Sequence, residues 1–93
     1  MQVFKKLLEE NRNKEIKVDS QTMENLMREF DKFEWEAEIT DEGVVESIVE
    51  EDGVKVTFAY VVPMPDDLIA GCKTHMNFLV EEGDDYVLIT KEG

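Results

Sequence analysis

The sequence is poor in cysteine and proline. It has one cysteine and two prolines among 93 residues. One cysteine excludes an internal disulfide and is typical of a reducing compartment. No apolar run approaches the roughly 18 residues of a membrane helix, and the charged residues 1–11 lack the small-residue cleavage site of a secretory signal. We therefore expect a soluble, cytoplasmic protein that makes no membrane contact.

Motifs for catalysis and metal binding are also missing. Cys72 and His75 form a C-x-x-H spacing, but zinc needs four ligands, or three and a water, and no further spacing supplies them. We interpret Cys72 as a small apolar filler and His75 as a surface residue. The sequence contains no EF-hand loop, Gly-rich phosphate loop or hydrolase motif. It therefore predicts a protein that is not an enzyme and needs no cofactor or dedicated metal ion.

Basic residues are scarce in the C-terminal two-thirds of the chain. Residues 1–33 hold seven acidic and seven basic residues, so this segment is neutral. Residues 34–93 hold the remaining acids and only three lysines, and they carry the whole net charge of −13. A segregated charge produces a directional field that attracts partners of opposite sign. Direct binding to nucleic acid is disfavoured, because it requires a basic surface.

Helical periodicity is confined to the neutral segment. Residues 2–11 have the spacing of a short amphipathic helix, and residues 12–18 are interpreted as a polar connection. Ser20 is the predicted N-cap of a second helix. That helix carries an apolar stripe at i, i+3, i+4 and i+7, formed by Met23, Leu26, Met27, Phe30 and Phe33.

From Phe33 onward the period changes to two, which predicts strands. The first is Phe33–Thr40, with Trp35 on its buried face. Asp52-Gly53 is a hairpin signal between the next two strands, and residues 75–80 and 86–90 form a last hairpin. The expected fold is α+β: one domain over residues 1–93, with two helices packed on an antiparallel sheet of about five strands. This sheet is a three-stranded meander plus a C-terminal hairpin, and the order of the two parts stays open.

Strand register determines where the charges lie. A loop at Asp52-Gly53 places Glu50 opposite Lys55. A three-residue loop at 41–43 places Ile39 opposite Val45, which keeps the apolar residues on one face. The same register opposes four acids in two pairs and places Trp35 opposite Val49. The acid pairs are Glu38 with Glu46 and Glu34 with Glu50. Directly opposed like charges destabilise a sheet, so stability alone would not select this pattern.

The acids of residues 34–93 group into one predicted sheet face and several loop clusters. On a sheet such carboxylates are spaced about 4.8 to 6.6 Å apart, which is sparser than the charges of duplex DNA but of comparable order once the loop clusters are added. The candidate partner-binding residues are Glu34, Glu36, Glu38, Glu46, Glu50, Glu51, Asp52, Asp66, Asp67, Glu81, Glu82, Asp84 and Asp85.

This charge pattern resembles that of the phage-encoded DNA-mimic inhibitors. In that class, carboxylates on a rigid scaffold stand in for phosphates and occupy the DNA-binding groove of a host protein. Members inhibit restriction enzymes, uracil-DNA glycosylase or CRISPR nucleases, and one captures the nucleoid protein HU. The resemblance implies a non-catalytic protein that acts in a bacterial cytoplasm and blocks a basic DNA-binding protein. The class shares no motif, so no residue role is transferred, and the basic residues between Lys5 and Lys17 depart from its pattern unless they face away.

Three other hypotheses stay open. In the first, the protein is an adaptor whose acidic face only keeps it in solution. In the second, it is a small cation-binding regulatory domain. The third concerns Leu79, Tyr86 and Leu88, which are predicted to share the face of the last hairpin opposite its apolar core residues. Either the helices or a second copy of the chain cover that face, and the second case predicts a homodimer.

Overall fold

The computed structural model describes residues 2–39, 44–61 and 76–92. Within them the chain forms two helices and one six-stranded mixed sheet, which confirms the α+β class. The sheet has six strands rather than five, and the helices pack on one of its faces. The elements are α1 (Gln2–Glu10), β1 (Lys14–Val18), α2 (Ser20–Phe30), β2 (Glu36–Ile39), β3 (Val44–Glu51), β4 (Val54–Val61), β5 (Met76–Glu82) and β6 (Asp85–Lys91).

The added strand is β1, so the interpretation of residues 12–18 as a polar connection was wrong. β1 pairs in parallel with β6, with Ile16 opposite Ile89. Ile16 and Val18 pack against the core, while Glu15 and Lys17, which alternate with them, stay exposed. β1 therefore has the period-two pattern of an edge strand, and its partner is supplied by the far end of the sequence.

The second helix begins one residue earlier than the sequence suggested. Asp19, not Ser20, is the N-cap of α2: the backbone N–H of Thr22 donates to Asp19 Oδ1 at 2.7 Å. Hydrogen bonds from the side chain and the backbone of Thr22 hold the pKa of Asp19 below its ordinary value. α2 ends at Phe30, so Phe33 lies beyond the helix, where it packs against the core half-buried.

Five strand pairings among the described residues give the strand order β1-β6-β5-β4-β3-β2. Asp52 and Gly53 form the predicted two-residue turn, and their φ angles of 52° and 80° are those of a type I′ turn. The last hairpin turns at Gly83-Asp84, so its strands are longer than predicted. β4 pairs with β5, which settles how the meander and the C-terminal hairpin join.

The core lies between the two helices and one face of the sheet. Phe4 of α1 and Phe30 of α2 lie 5.2 and 5.7 Å from the ring of Phe78, and Phe58 lies 4.8 Å from it. These four phenylalanines are at most 6% exposed. α1 and α2 cover this face of the sheet, which we call the inner face. No helix among the described residues covers the opposite face. We call that opposite face the outer face.

Candidate partner-binding surface

The outer face carries acidic side chains at the β2 side of the sheet, as the register predicted. Glu38 lies opposite Glu46, and Ile39 opposite Val45. The predicted pairs of Trp35 with Val49 and of Glu34 with Glu50 do not form, because β2 begins only at Glu36. Trp35 is 44% exposed, so its predicted burial was wrong, although its ring lies 6.1 Å from that of the core residue Phe30. The chain leaves α2 and crosses to the sheet edge at this point, before strand pairing begins.

The strand order brings two separate acidic clusters to one end of the sheet. Glu51 lies opposite Val54, Val54 opposite Glu82, and Glu82 opposite Asp85. The turn at Asp52-Gly53 and the turn at Gly83-Asp84 are therefore neighbours. We call this group the acidic end. It consists of Glu50, Glu51, Asp52, Glu81, Glu82, Asp84 and Asp85.

One lysine lies within this array. Lys55 is opposite Glu50 on β3 and opposite Glu81 on β5, so it stands between two carboxylates. The predicted Glu50–Lys55 pairing is confirmed by this register. All three residues lie on the outer face, because Val54 and Val56 on either side of Lys55 are buried in the core.

A basic residue of the N-terminal segment also reaches the acidic end. Arg12, in the connection between α1 and β1, forms ion pairs with Asp85 and, at 3.8 Å, with Glu82. Asn13 Nδ2 donates to Asp85 Oδ1 at 3.3 Å, and the backbone N–H of Asn13 donates to the carbonyl of Tyr86 at 2.6 Å. Arg12 therefore does not face away from the acids. It partly neutralises two of the predicted binding residues, Glu82 and Asp85.

The same contacts add two acids that the sequence did not single out. Glu9 and Glu10 form the end of α1, and the residues that follow them contact Asp85 and Tyr86. α1 has no basic residue in its last turn. Carboxylates at a helix C-terminus face the negative end of the helix dipole, so this placement adds negative charge where stability does not favour it. No local sequence pattern predicts that Glu9 and Glu10 lie near the acidic end, because their placement depends on the β1–β6 pairing.

An open groove adjoins the acidic end at the β2 edge of the sheet. Its volume is about 1080 Å³. Trp35 and Phe33 line one part of it, and Ile48 and Val49 of β3 line another. Five of the remaining lining residues are glutamates, and these are Glu34, Glu36, Glu38, Glu46 and Glu50. Lys55 is the other charged group of the lining. The groove therefore joins an aromatic surface to the acids of the outer face.

The outer face of the last hairpin carries the leucines that the sequence predicted there. Leu79 lies opposite Leu88 on the outer face, and Phe78, Val80, Val87 and Ile89 are buried on the inner face, as predicted. The helices cover the inner face, so they do not cover Leu79 and Leu88. Four residues singled out above, Asp66, Asp67, Cys72 and His75, lie outside the described residues.

Within residues 2–39, 44–61 and 76–92, no group of three or more His, Cys, Asp or Glu has the arrangement needed to hold a metal ion. In the same ranges, neither α1 nor α2 is long and apolar enough to cross a membrane.

Comparisons with protein-family models, with curated proteins and with solved structures found no match to this chain.

Proposed function

We propose that this protein is a non-catalytic DNA mimic that binds a basic DNA-binding protein of a bacterial cytoplasm and blocks its access to DNA. The observation that carries the proposal is the acidic end. Pairing of β4 with β5 sets two acidic turns side by side, although their residues are about 30 positions apart in the sequence. Neighbouring strands lie about 4.8 Å apart, and the acidic ends of β3 and β5 flank β4 on its two sides, which gives a charged surface of fixed shape.

The arrangement of charge supports recognition rather than simple solubility. Glu38 opposes Glu46 across two strands, and Glu9 and Glu10 lie at the negative end of a helix dipole. Each arrangement costs stability. A surface needed only for solubility would not require acids at positions where they repel each other. Attraction to a basic partner offsets these costs when the complex forms.

The rigidity of the scaffold supports the same proposal. The acids lie on strands of a continuous sheet, or on two-residue turns between them, and α1 and α2 pack on that sheet. Glu50 and Glu81 lie on the outer face, whereas Glu51, Glu82 and Asp85 are in register with the buried Val54 at the end of the inner face. Preorganised groups lose less conformational entropy on binding than groups on a disordered tail. An acidic protein of this kind should therefore compete with duplex DNA more effectively than an unstructured polyanion of equal charge.

The test is a pull-down from bacterial lysate with the immobilised protein, eluted by a salt gradient and followed by mass spectrometry. We expect a basic DNA-binding protein that elutes at moderate salt, because screening weakens charge–charge attraction. In a second step, duplex DNA and this protein should exclude each other from that partner. A retained protein that is neutral, or that stays bound at high salt, would contradict mimicry.

Matched charge reversals test whether the partner contacts the acidic end. Glu51→Lys and Asp84→Lys each remove one exposed carboxylate of the acidic end and add one positive charge. Glu24→Lys makes the same change on the exposed side of α2. We expect the first two variants to bind the captured partner several-fold more weakly than Glu24→Lys. Equal losses in all three would mean that only the total charge matters.

A second candidate function is an adaptor that binds through apolar contacts. Leu79, Leu88 and Ile48 are half-buried on the outer face, and the register places them in one row with Thr57. An adaptor of this kind would keep its partner at high salt. The salt gradient therefore separates the two candidates in one experiment.

A further inference from the structure

Trp35 is an aromatic side chain with one supported side and one open side. Its ring centroid lies 6.1 Å from that of Phe30, at an interplanar angle of 32°. Phe30 is itself 2% exposed and contacts Phe58 and Phe78, so it is fixed by the core. Trp35 remains 44% exposed. The indole therefore extends the aromatic core to the surface and presents a side chain whose position is held from beneath.

The strand edge beside Trp35 is unpaired. β2 pairs with β3 only from Glu36 opposite Ile48 to Ile39 opposite Val45. β3 continues to Glu51, so Val49, Glu50 and Glu51 have no partner on the β2 side within the described strands. An unpaired edge presents backbone N–H and C=O groups that can pair with an added extended segment. The groove described above reaches this edge, because its lining includes Trp35, Val49 and Glu50 in addition to residues of β2 and Lys55 of β4.

Charge decides which segment fits. The groove lining has five glutamates and one lysine, a formal charge of −4. An acidic or neutral segment would leave these carboxylates without counter-charges, and a second copy of this chain would bring its own net charge of −13 against them. A cationic segment satisfies both the carboxylates and the indole, because tryptophan is the aromatic residue that attracts cations most strongly.

We infer that the groove between Trp35 and the free edge of β3 binds an extended, arginine-bearing segment of the partner, with a guanidinium placed over the indole of Trp35. The inference rests on the proposed function for the class of partner, and it adds the chemistry by which that partner is distinguished from other basic proteins. Arginine is favoured over lysine because its planar guanidinium stacks on an aromatic ring and binds a carboxylate through two hydrogen bonds.

The first experiment titrates the full-length protein with two short peptides of equal charge. One alternates arginine with valine, and the other alternates lysine with valine. Trp35 is the single tryptophan of the chain, so its fluorescence reports contact at this position directly. We expect a saturable change in emission with the arginine peptide and a higher affinity than that of the lysine peptide, because only the planar guanidinium both stacks on the indole and binds a carboxylate through two hydrogen bonds.

Substitutions of Trp35 separate the π contact from hydrophobic bulk. Trp35→Phe keeps an aromatic face, while Trp35→Leu keeps apolar volume without one. By calorimetry, we expect Trp35→Leu to lose most of the preference for arginine and Trp35→Phe to keep part of it. Val3→Ala is the control, because Val3 on α1 is exposed to a similar degree, 41%, and is not part of the groove lining. It should bind like the wild type.

The outcomes distinguish the inference from the proposed function. If both peptides bind in a salt-sensitive way but emission is unchanged and Trp35→Leu binds normally, cations bind elsewhere on the acidic surface. The inference is then wrong and the proposed function stands. If neither peptide binds at low salt, both are overturned. Thermal melting of each variant checks that the fold is retained, and Trp35→Phe serves as the test if Trp35→Leu does not fold.

Discussion

The two faces of the sheet are made by alternate residues of the same strands, yet they meet opposite demands. On the inner face, Phe78 and Val80 of β5 are fully buried, and the aromatic rings of both helices pack on Phe78. On the outer face, the intervening Leu79 and Glu81 are half-buried and no described helix covers them. The inner face therefore carries the stability of the fold, and the outer face is free to hold charges that stability does not favour.

The largest expected effect is a difference in the loss of stability between substitutions at two adjacent residues, one on each face. Phe78→Ala removes a ring that contacts Phe4, Phe30 and Phe58, and we expect it to lower the free energy of unfolding by about 3–5 kcal/mol. Leu79→Ala, one residue further on, should cost less than half as much because its side chain is half-buried on the outer face. Urea unfolding measures both. Similar losses would mean that the outer face is also covered.

A smaller effect concerns the opposed acids of the outer face. Glu38→Lys converts the repulsion between Glu38 and Glu46 into attraction, and we expect a gain in stability of about 0.2–1 kcal/mol. Glu36→Lys is the matched control on the same strand and face, because Glu36 lies opposite Ile48 and gains no directly opposed carboxylate. Both variants should weaken partner binding to a similar extent. If Glu38→Lys destabilised the protein, the register of β2 against β3 would be in doubt.

A third prediction asks how far Arg12 restrains the acidic end. Arg12→Gln removes the ion pairs with Glu82 and Asp85, and it leaves one more net negative charge there. The stability change should be at most about 1 kcal/mol, because these side chains are largely exposed. Binding to the proposed basic partner should become tighter and steeper in its salt dependence. Weaker binding would show that Arg12 positions the acids rather than masking them.

The smallest effect is a dependence of stability on pH within the helical layer. Hydrogen bonds from Thr22 lower the pKa of Asp19, and a hydrogen bond from Lys32 lowers that of Glu29. A carboxyl whose pKa is lower in the folded state stabilises the protein above its unfolded pKa, and this contribution is lost as pH falls through the folded value. Asp19→Asn keeps a capping side chain, but it should reduce the loss of stability, measured by urea unfolding, as the pH falls below about 4.

The sequence was sufficient for the elements that local pattern defines. The apolar stripe from Met23 to Phe30 gave α2, and the Asp52-Gly53 turn gave the register of β3 and β4, because a two-residue turn fixes which residues oppose each other. The predicted burial of Trp35 was wrong for a physical reason. Alternation predicts which face a residue takes only where the chain is in the sheet, and the chain joins the sheet at Glu36.

The candidate surface could be predicted only in part. The acids of β2 and β3 follow from local register, and their opposition at Glu38 and Glu46 was predicted correctly. The union of two turns into one acidic end depends on β4 pairing with β5, across a connection whose length and direction no local pattern fixes. The contact of Arg12 with Asp85 depends on β1 lying beside β6, so it is also a long-range consequence of the topology.

The pairing of β1 with β6 also governs the order in which this protein can form during synthesis. Asn13 and Tyr86, at the start of that junction, are 73 residues apart in the chain. α1, β1 and α2 leave the ribosome long before β6 exists to receive them, so the first strand stays without its partner until nearly the whole sheet has been translated. Contacts of such separation slow folding. We therefore expect the two acidic hairpins to assemble first, and the N-terminal strand to join last, when Arg12 takes its place among the acids.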